Sequence, residues 1–491
     1  MAELRQSLIY SAADSYAALV LQLGSTVVLS RLLTPTELGV FAVAAVFASL
    51  ASTFRDFGVA EYMIQEKALS AEKIRAAFAV NIGISWLMAL IIFAGAGPVG
   101  ELYSASGITE VMRVQALNFL LIPFGAVTMA YFRRQMDFRP IFVAGLAANT
   151  TAFAVSVACA HHGMGYMSLA WSSVAGVCVT VVVSIWLRPR GFPCWPSLRG
   201  ISEVLHFGKF ASGIYIFGQL GKGAPEMIIG RAQGMAEVAV FSRANGLVQV
   251  FHELIVRAVM PTCLPYFSAA VRAEGSVVRG YVTGVSYLTT IGWPFLGFMA
   301  AAAFPAIRIV YGDQWDESVP LARTLCLAGA IELVHYLANE ALLAHGQVRL
   351  GSRLQLLLQA ARVLGLLAVI PFGLAGGCWG LVAAAAAGLT LSQWHLKMGA
   401  GLTLGDLWRA CRGSLVVTVI TLAPLLITLP LITVDEHNYV RFMVLGGAVT
   451  AAMWLLALGL TRHALGAELI RLLRHLRTRL PALRAPPTSR P

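Results

Sequence analysis

Apolar stretches of about twenty residues, recurring from the first residues of the chain to beyond position 450, decide what it can fold into. A transmembrane helix needs about 20 mostly apolar residues to cross the hydrocarbon core. By that measure fourteen spans are expected, at 8–30, 38–60, 74–97, 111–132, 141–160, 166–187, 205–229, 236–259, 281–303, 320–344, 353–373, 376–396, 413–433 and 441–461. Hydrocarbon offers an open backbone no hydrogen-bond partner, so these stretches must be helices. With 58% hydrophobic and 12% charged residues and a mean hydropathy of +0.74, the expected fold is an all-α polytopic membrane protein of about 14 transmembrane helices. The opening MAELRQSLIYSAADSY has no basic-then-apolar run ending at a cleavage site, so the first helix is expected to be retained.

The net charge of +12 suggests nucleic acid in a soluble protein, but here the basic residues lie in short loops between apolar runs. With the N-terminus inside, 24 of the 36 Lys and Arg fall on the cytoplasmic side, among them Lys67, Arg75, Arg133, Arg134, Arg188, Arg349 and seven in the tail. Four (Arg31, Arg231, Arg308, Arg441) fall outside and eight within spans. That bias sets both termini in the cytoplasm and makes nucleic acid an unexpected partner. The opposite loops, such as GPVGELYSASGITE and YGDQWDESVP, are short and neutral or acidic. Seven scattered cysteines form no CxxC pair, and His161 and His162 stand isolated in HHGMG, so neither disulfide nor metal is expected. Walker, HExxH and GxSxG signatures are missing, as is a catalytic constellation, so the chain is expected to be no enzyme and to need no cofactor.

A shift of 200 positions lays Arg31, Glu37, Val40, Phe41 and Ala44 over Arg231, Glu237, Val240, Phe241 and Ala244. A shift of 212 lays Gln135, Gly165 and Leu169 over Gln347, Gly377 and Leu381. Together they suggest a duplicated six-helix unit of unchanged orientation, hence two parallel lobes with a site between them. The expected organisation is an N-terminal lobe at 1–200 (spans 1–6), a C-terminal lobe at 201–400 (spans 7–12), spans 13–14 at 401–462, and a basic amphipathic tail at 463–491. In that tail Leu469, Leu472, Leu473, Leu476 and Leu480 lie opposite Arg471, Arg474, Arg477 and Arg479, a pattern that rests on anionic lipid head groups; a partner-protein site is the alternative.

Ionisable groups at bilayer depth are expensive unless they face a protein interior or a watery path. They concentrate between Val204 and Arg257. Lys209, Lys222, Arg243 and Arg257, with Arg113 of span 4, are the candidate cations for an anionic substrate, Lys209 and Arg243 having no local partner. Lys222 with Glu226, and Glu253 with Arg257, are four apart and can neutralise each other. Asn245, Gln249, His252 and Glu253 share an arc of about 100° on span 8. Glu332, His335 and Asn339 share about 60° on span 10, a carboxylate and imidazole fit either for proton handling or for helix packing. Glu332, His335, Asp14, Glu253 and Glu226 are therefore the ion-coupling candidates. Tyr215, Phe217, Trp293 and Tyr336 are aromatics that could stack on sugars.

The stretch SRLLTPTELGVFAVAAVFASLASTFRDFGVAEYMIQEK (Ser30 to Lys67), with IIGRAQGMAEVAVFSRA (Ile228 to Ala244) and YGDQW (Tyr311 to Trp315), resembles the polysaccharide transporter branch of the multidrug, oligosaccharidyl-lipid and polysaccharide exporter superfamily, the bacterial O-antigen and exopolysaccharide flippases. The departures are Glu226, where aspartate is common, and Ala239, where glycine is usual. The resemblance implies two six-helix lobes, a central cationic cavity and alternating access. The substrate it implies is an undecaprenyl-diphosphate-linked oligosaccharide carried from the inner to the outer leaflet of the bacterial inner membrane, with membrane lipids and a polysaccharide polymerase or co-polymerase as partners. Two alternatives carry different signatures. A drug or metabolite antiporter of the same superfamily should prefer an acidic cavity, and a polymerase or ligase should carry a large outer loop.

Overall fold

The computed structural model describes the chain apart from residues 1, 56–57, 194, 212, 429–434, 436 and 480–491, and the side chains of 2–6, 8, 207–217, 258, 274 and 472–479. All regular secondary structure among the described residues is helical. In order come α1 (Ala2–Leu32), α2 (Pro35–Arg55), α3 (Val59–Gln65), α4 (Ala71–Leu102), α5 (Ser106–Leu121), α6 (Pro123–Arg134), α7 (Arg139–His161), α8 (Met167–Trp186), α9 (Ile201–Ala211), α10 (Gly213–Ala232) and α11 (Met235–Phe251). Then follow α12 (Arg257–Glu274), α13 (Val278–Ala301), α14 (Ala303–Val310), α15 (Ser318–His335), α16 (Ala338–Ala344), α17 (Val348–Val369), α18 (Leu374–Ala400), α19 (Leu404–Thr428), α20 (Tyr439–Leu460) and α21 (Ala464–Arg479).

Among the described residues, ten helices are long and apolar enough to cross a membrane, or up to thirteen if each bent pair is one span. The bends are 52° between α5 and α6, 50° between 235–256 and 259–273, and 79° between α13 and α14. The expected count of fourteen is not confirmed among the described residues. The expected span 205–229 falls on α9 and α10, whose junction at residue 212 lies outside the described residues. The bend near 257 follows a π-helical turn at His252–Val256, where the helix is wound with more than 3.6 residues per turn.

The chain forms two compact units. The first comprises Met1–Arg243, Val310–Trp315 and Leu366–Gly377. Within it, close helix approach is made possible by small residues. A Cβ on Gly39 of α2 would run into the Met235 carbonyl, and Cβ atoms on Gly223 and Gly230 of α10 would press on Val46 and Val43 of α2. The first turn of α2 is closed by a capping box in which Glu37 accepts from the Thr34 N–H at 2.8 Å and its hydroxyl at 2.9 Å. Val59, Tyr62, Met63, Phe78, Val80, Val127 and Val204 form a core joining α3, α4, α6 and α9. Arg134 closes the end of α3 by donating to the carbonyls of Met63 at 2.7 Å, Ile64 at 3.2 Å and Lys67 at 3.4 Å, satisfying acceptors a helix C-terminus leaves open. Beside it Glu66 pairs with Lys73 at 3.0 Å, and that hydrogen bond holds the Glu66 carboxyl below its ordinary value.

The second unit comprises Ala244–Ile309, Asp316–Gly365 and Cys378–Pro491. Its α13 and α19 are stitched by buried hydroxyls: Thr289 donates to Ser414 Oγ at 2.8 Å, and Thr290 lies 2.8 Å from the same oxygen. His463, between α20 and α21, places Nε2 3.1 Å from Ser286 and 3.2 Å from Thr290, while the Leu465 N–H donates to its Nδ1 at 3.3 Å. An Nδ1 that accepts requires the proton on Nε2, so the neutral imidazole donates to the hydroxyls. Burial holds His463 below its ordinary value of 6.5, in keeping with that state.

Candidate functional site

The candidate cations have different fates. Arg243 of α11 is half-buried, with its guanidinium carbon 5.2 Å from the ring centroid of Tyr311 and 5.2 Å from that of Trp315. Its Nε is buried without a hydrogen-bond partner, and among the described residues no carboxylate pairs with it. Both rings belong to YGDQW, and that short turn is fastened to the end of α1. The Trp315 indole N–H donates to the Ser30 carbonyl at 2.9 Å, and the Gln314 amide donates to the same oxygen and to the Leu33 carbonyl at 3.3 Å. Trp315 is fully buried and Tyr311 nearly so. Burial pushes the Tyr311 phenol above its ordinary value, with the Arg243 cation acting in the other direction. Gly312 turns the chain at φ +105°, a conformation that suits a residue without Cβ.

A guanidinium over aromatic rings is attracted by their negative quadrupoles, which add no counter-charge. The Arg243 Nε, without a hydrogen-bond partner among the described residues, is available to an anion. That is the chemistry expected of a phosphate contact.

The other four cations are placed differently. Arg257 is exposed and bonded to Glu253 at 2.7 Å, the self-neutralising arrangement that their four-residue spacing allows. Arg113 is exposed and stacks over Phe93 at 5.6 Å. Lys222 is exposed and Glu226 half-buried on α10. Lys209 falls within α9, but its side chain lies outside the described residues, as do those of Tyr215 and Phe217. Among the described residues, no hydrogen bond or ion pair joins any two of these cations to one shared partner.

Among the acid candidates, Asp14 of α1 is half-buried, so close to Gly145 of α7 that a Cβ there would strike its carboxylate. Glu332 is half-buried on α15, and His335, the last residue of that helix, is buried with its Nε2 lacking a hydrogen bond. The His335 ring fits where Gly388 of α18 has no side chain, 3.1 Å from the point a Cβ would occupy. The arc expected for Asn245, Gln249, His252 and Glu253 assumed an unbroken α-helix. The π turn begins at His252, and His252 instead stacks on Tyr336 with centroids 5.4 Å apart.

Two groups are not singled out by the sequence pattern. Glu340, in the first turn of α16, has a buried Oε2 without a hydrogen bond. The span divides between His335 and Ala338, a break that no proline or glycine announces. Arg362, on α17, has a buried Nε in the same condition. An arginine in the apolar second half of α17, apart from Arg349 and Arg353 near its start, was the available signal.

The profile of the family described as "Polysaccharide biosynthesis protein" matches residues 28–320, well over half of the chain. The chain belongs to this family. It is 23% identical over 363 residues to the lipopolysaccharide biosynthesis protein WzxC of Escherichia coli (strain K12), covering 70% of this chain and 71% of that protein. It is 24% identical over 310 residues to the succinoglycan biosynthesis transport protein ExoT of Rhizobium meliloti (strain 1021), covering 62% of each. The teichuronic acid biosynthesis protein TuaB of Bacillus subtilis (strain 168) is 21% identical over 345 residues, 67% of this chain and 69% of that protein. Among solved structures, the lipid II flippase MurJ in an inward closed conformation superposes with a TM-score of 0.73 at 11% identity, covering 93% of this chain and 100% of MurJ. An inward-facing multidrug transporter of the MATE family gives 0.61 at 15% identity, covering 80% and 98%. At these identities the likeness is one of fold: the polysaccharide biosynthesis family member shares the architecture of both.

Proposed function

We propose that this chain is a flippase, carrying a lipid-linked oligosaccharide between leaflets of the bacterial inner membrane for surface polysaccharide synthesis. The observation that carries this reading is the Arg243 clamp: a cation in a membrane-embedded helix, held by aromatic faces and lacking a carboxylate partner among the described residues. Such a group suits a phosphate-bearing lipid head, and a site for cationic drugs would need the opposite charge. The family match and the named roles of the relatives, which include a succinoglycan transport protein and a lipid II flippase, support the same substrate class.

In this reading the protein is a transporter rather than a polymerase, with both termini in the cytoplasm as the basic loops direct. Lys209, Lys222, Arg257 and Arg113 are secondary candidates for the anion, and Glu332 with His335 for ion coupling. Two parallel lobes, 1–200 and 201–400, alternate access to the two leaflets, with spans 13–14 and the tail appended. The deciding experiment is deletion followed by analysis of membrane-bound sugars. Lipid-linked oligosaccharide should accumulate facing the cytoplasm while surface polymer disappears, and both should revert on complementation. Unchanged surface polymer in the deletion strain, or chain elongation by the purified protein, overturns the proposal.

A further inference from the structure

α17 has two unlike sides. Leu356, Leu357, Leu364 and Leu367 are 45%, 39%, 65% and 48% exposed and lie on the side expected to meet lipid. At 100° per residue, Gln355, Gln359 and Arg362 fall within about 60° of one another on the opposite side, together with buried Gly351 and Leu366. All three polar residues are half-buried. The stripe rises over seven residues, about 10 Å along the helix axis.

Polar groups turned away from lipid normally bond to a neighbouring helix. Here Gln359 Oε1 and Arg362 Nε are buried and have no hydrogen-bond partner among the described residues. A packing role would leave these groups satisfied, so the missing partners point to a visiting ligand. The donor set defines its class. A guanidinium fork matches a phosphate, and two amides that both donate and accept match sugar hydroxyls.

We infer that Gln355, Gln359 and Arg362 form a second substrate contact, Arg362 binding the phosphate of an anionic glycolipid and the two glutamines its proximal sugar. The inference rests on the flippase reading and adds to it a contact that reads the sugar next to the phosphate. The stripe then discriminates among glycolipids by the sugar next to the phosphate.

The test uses the purified full chain in detergent, with a polyprenyl diphosphate and the matching uncharged polyprenol as probes. Wild type should bind the diphosphate more tightly than the polyprenol, and Arg362→Ala should lose about tenfold of that affinity, as expected for one charge-assisted contact. Arg362→Lys, which keeps the charge without the fork, should lie between them. Gln359→Leu should slow translocation of the sugar-bearing carrier in proteoliposomes, while Leu364→Ala, on the lipid side of the same helix, serves as the control. Unchanged diphosphate affinity in both Arg362 variants overturns the inference and leaves the flippase reading standing. A wild-type protein that fails to distinguish diphosphate from polyprenol overturns both. If Arg362→Ala does not fold, Arg362→Lys and Gln359→Leu still decide.

Discussion

Replacing Arg243 tests the charge-recognition argument most directly. The substitution Arg243→Ala removes a guanidinium lying 5.2 Å from both the Tyr311 and Trp315 centroids. A hydrogen bond to a charged group contributes about 1.5–3 kcal/mol, so transport should fall by roughly 10- to 150-fold. A separate structural cost arises because each ring loses a cation–π contact of about 0.5–2 kcal/mol. Membrane-inserted protein must therefore be measured alongside transport. Arg243→Lys keeps the charge but has no planar group to stack, so its loss should be intermediate. Trp315→Phe keeps the ring and removes one donor to Ser30, a change of about 1 kcal/mol, softened because Gln314 still reaches that carbonyl. If the rings act through Arg243, Trp315→Leu should harm transport in the wild-type background and add little to Arg243→Ala. The assay is surface polysaccharide per unit of inserted protein in a strain deleted for the native gene. Polymer within twofold of wild type in Arg243→Ala at normal abundance would refute the clamp as a substrate contact.

Other expectations follow from the packing and the titrating groups. Gly39→Ala should cost about 1–3 kcal/mol through overpacking against the Met235 carbonyl, whereas Gly24→Ala, with nothing within 4 Å of its Cβ position, should be near neutral; thermal melting in detergent compares them. Because His463 is held below 6.5 in the folded chain, the unfolded chain takes up the proton first, so stability should be intact above about pH 6.5 and decline as the pH falls below it. His463→Gln should flatten that slope, and an unchanged slope would mean another group titrates. Glu332→Gln should abolish dependence of transport on an ion gradient; transport that still collapses with an uncoupler excludes Glu332 as the coupling acid.

Much of the architecture was legible because the bilayer imposes length and polarity on each segment separately. A run such as Val348–Val369 is readable as a helix without knowing its neighbours, and the Glu253–Arg257 pair was foreseeable because residues four apart share a helix face. Arg243 was also visible as a cation without a local partner. Its clamp was not, since Tyr311 and Trp315 lie about seventy residues further along and YGDQW looks like an ordinary turn.

The apolar runs and the basic loops by themselves determined an all-helical membrane chain, and the four-residue spacing of Glu253 and Arg257 foretold their ion pair. Only the tertiary structure decided which charges are spent and which are kept. It showed that helices α5–α6 and α13–α14 bend by 52° and 79°, that a π turn begins at His252, and that Gln359 Oε1 and Arg362 Nε have no hydrogen-bond partner among the described residues. The reason is physical. Helix formation in hydrocarbon is settled by local backbone hydrogen bonds and apolar length, whereas a side chain's partner depends on the rotation and crossing of helices distant in sequence, set by small-residue contacts such as Gly39 on Met235.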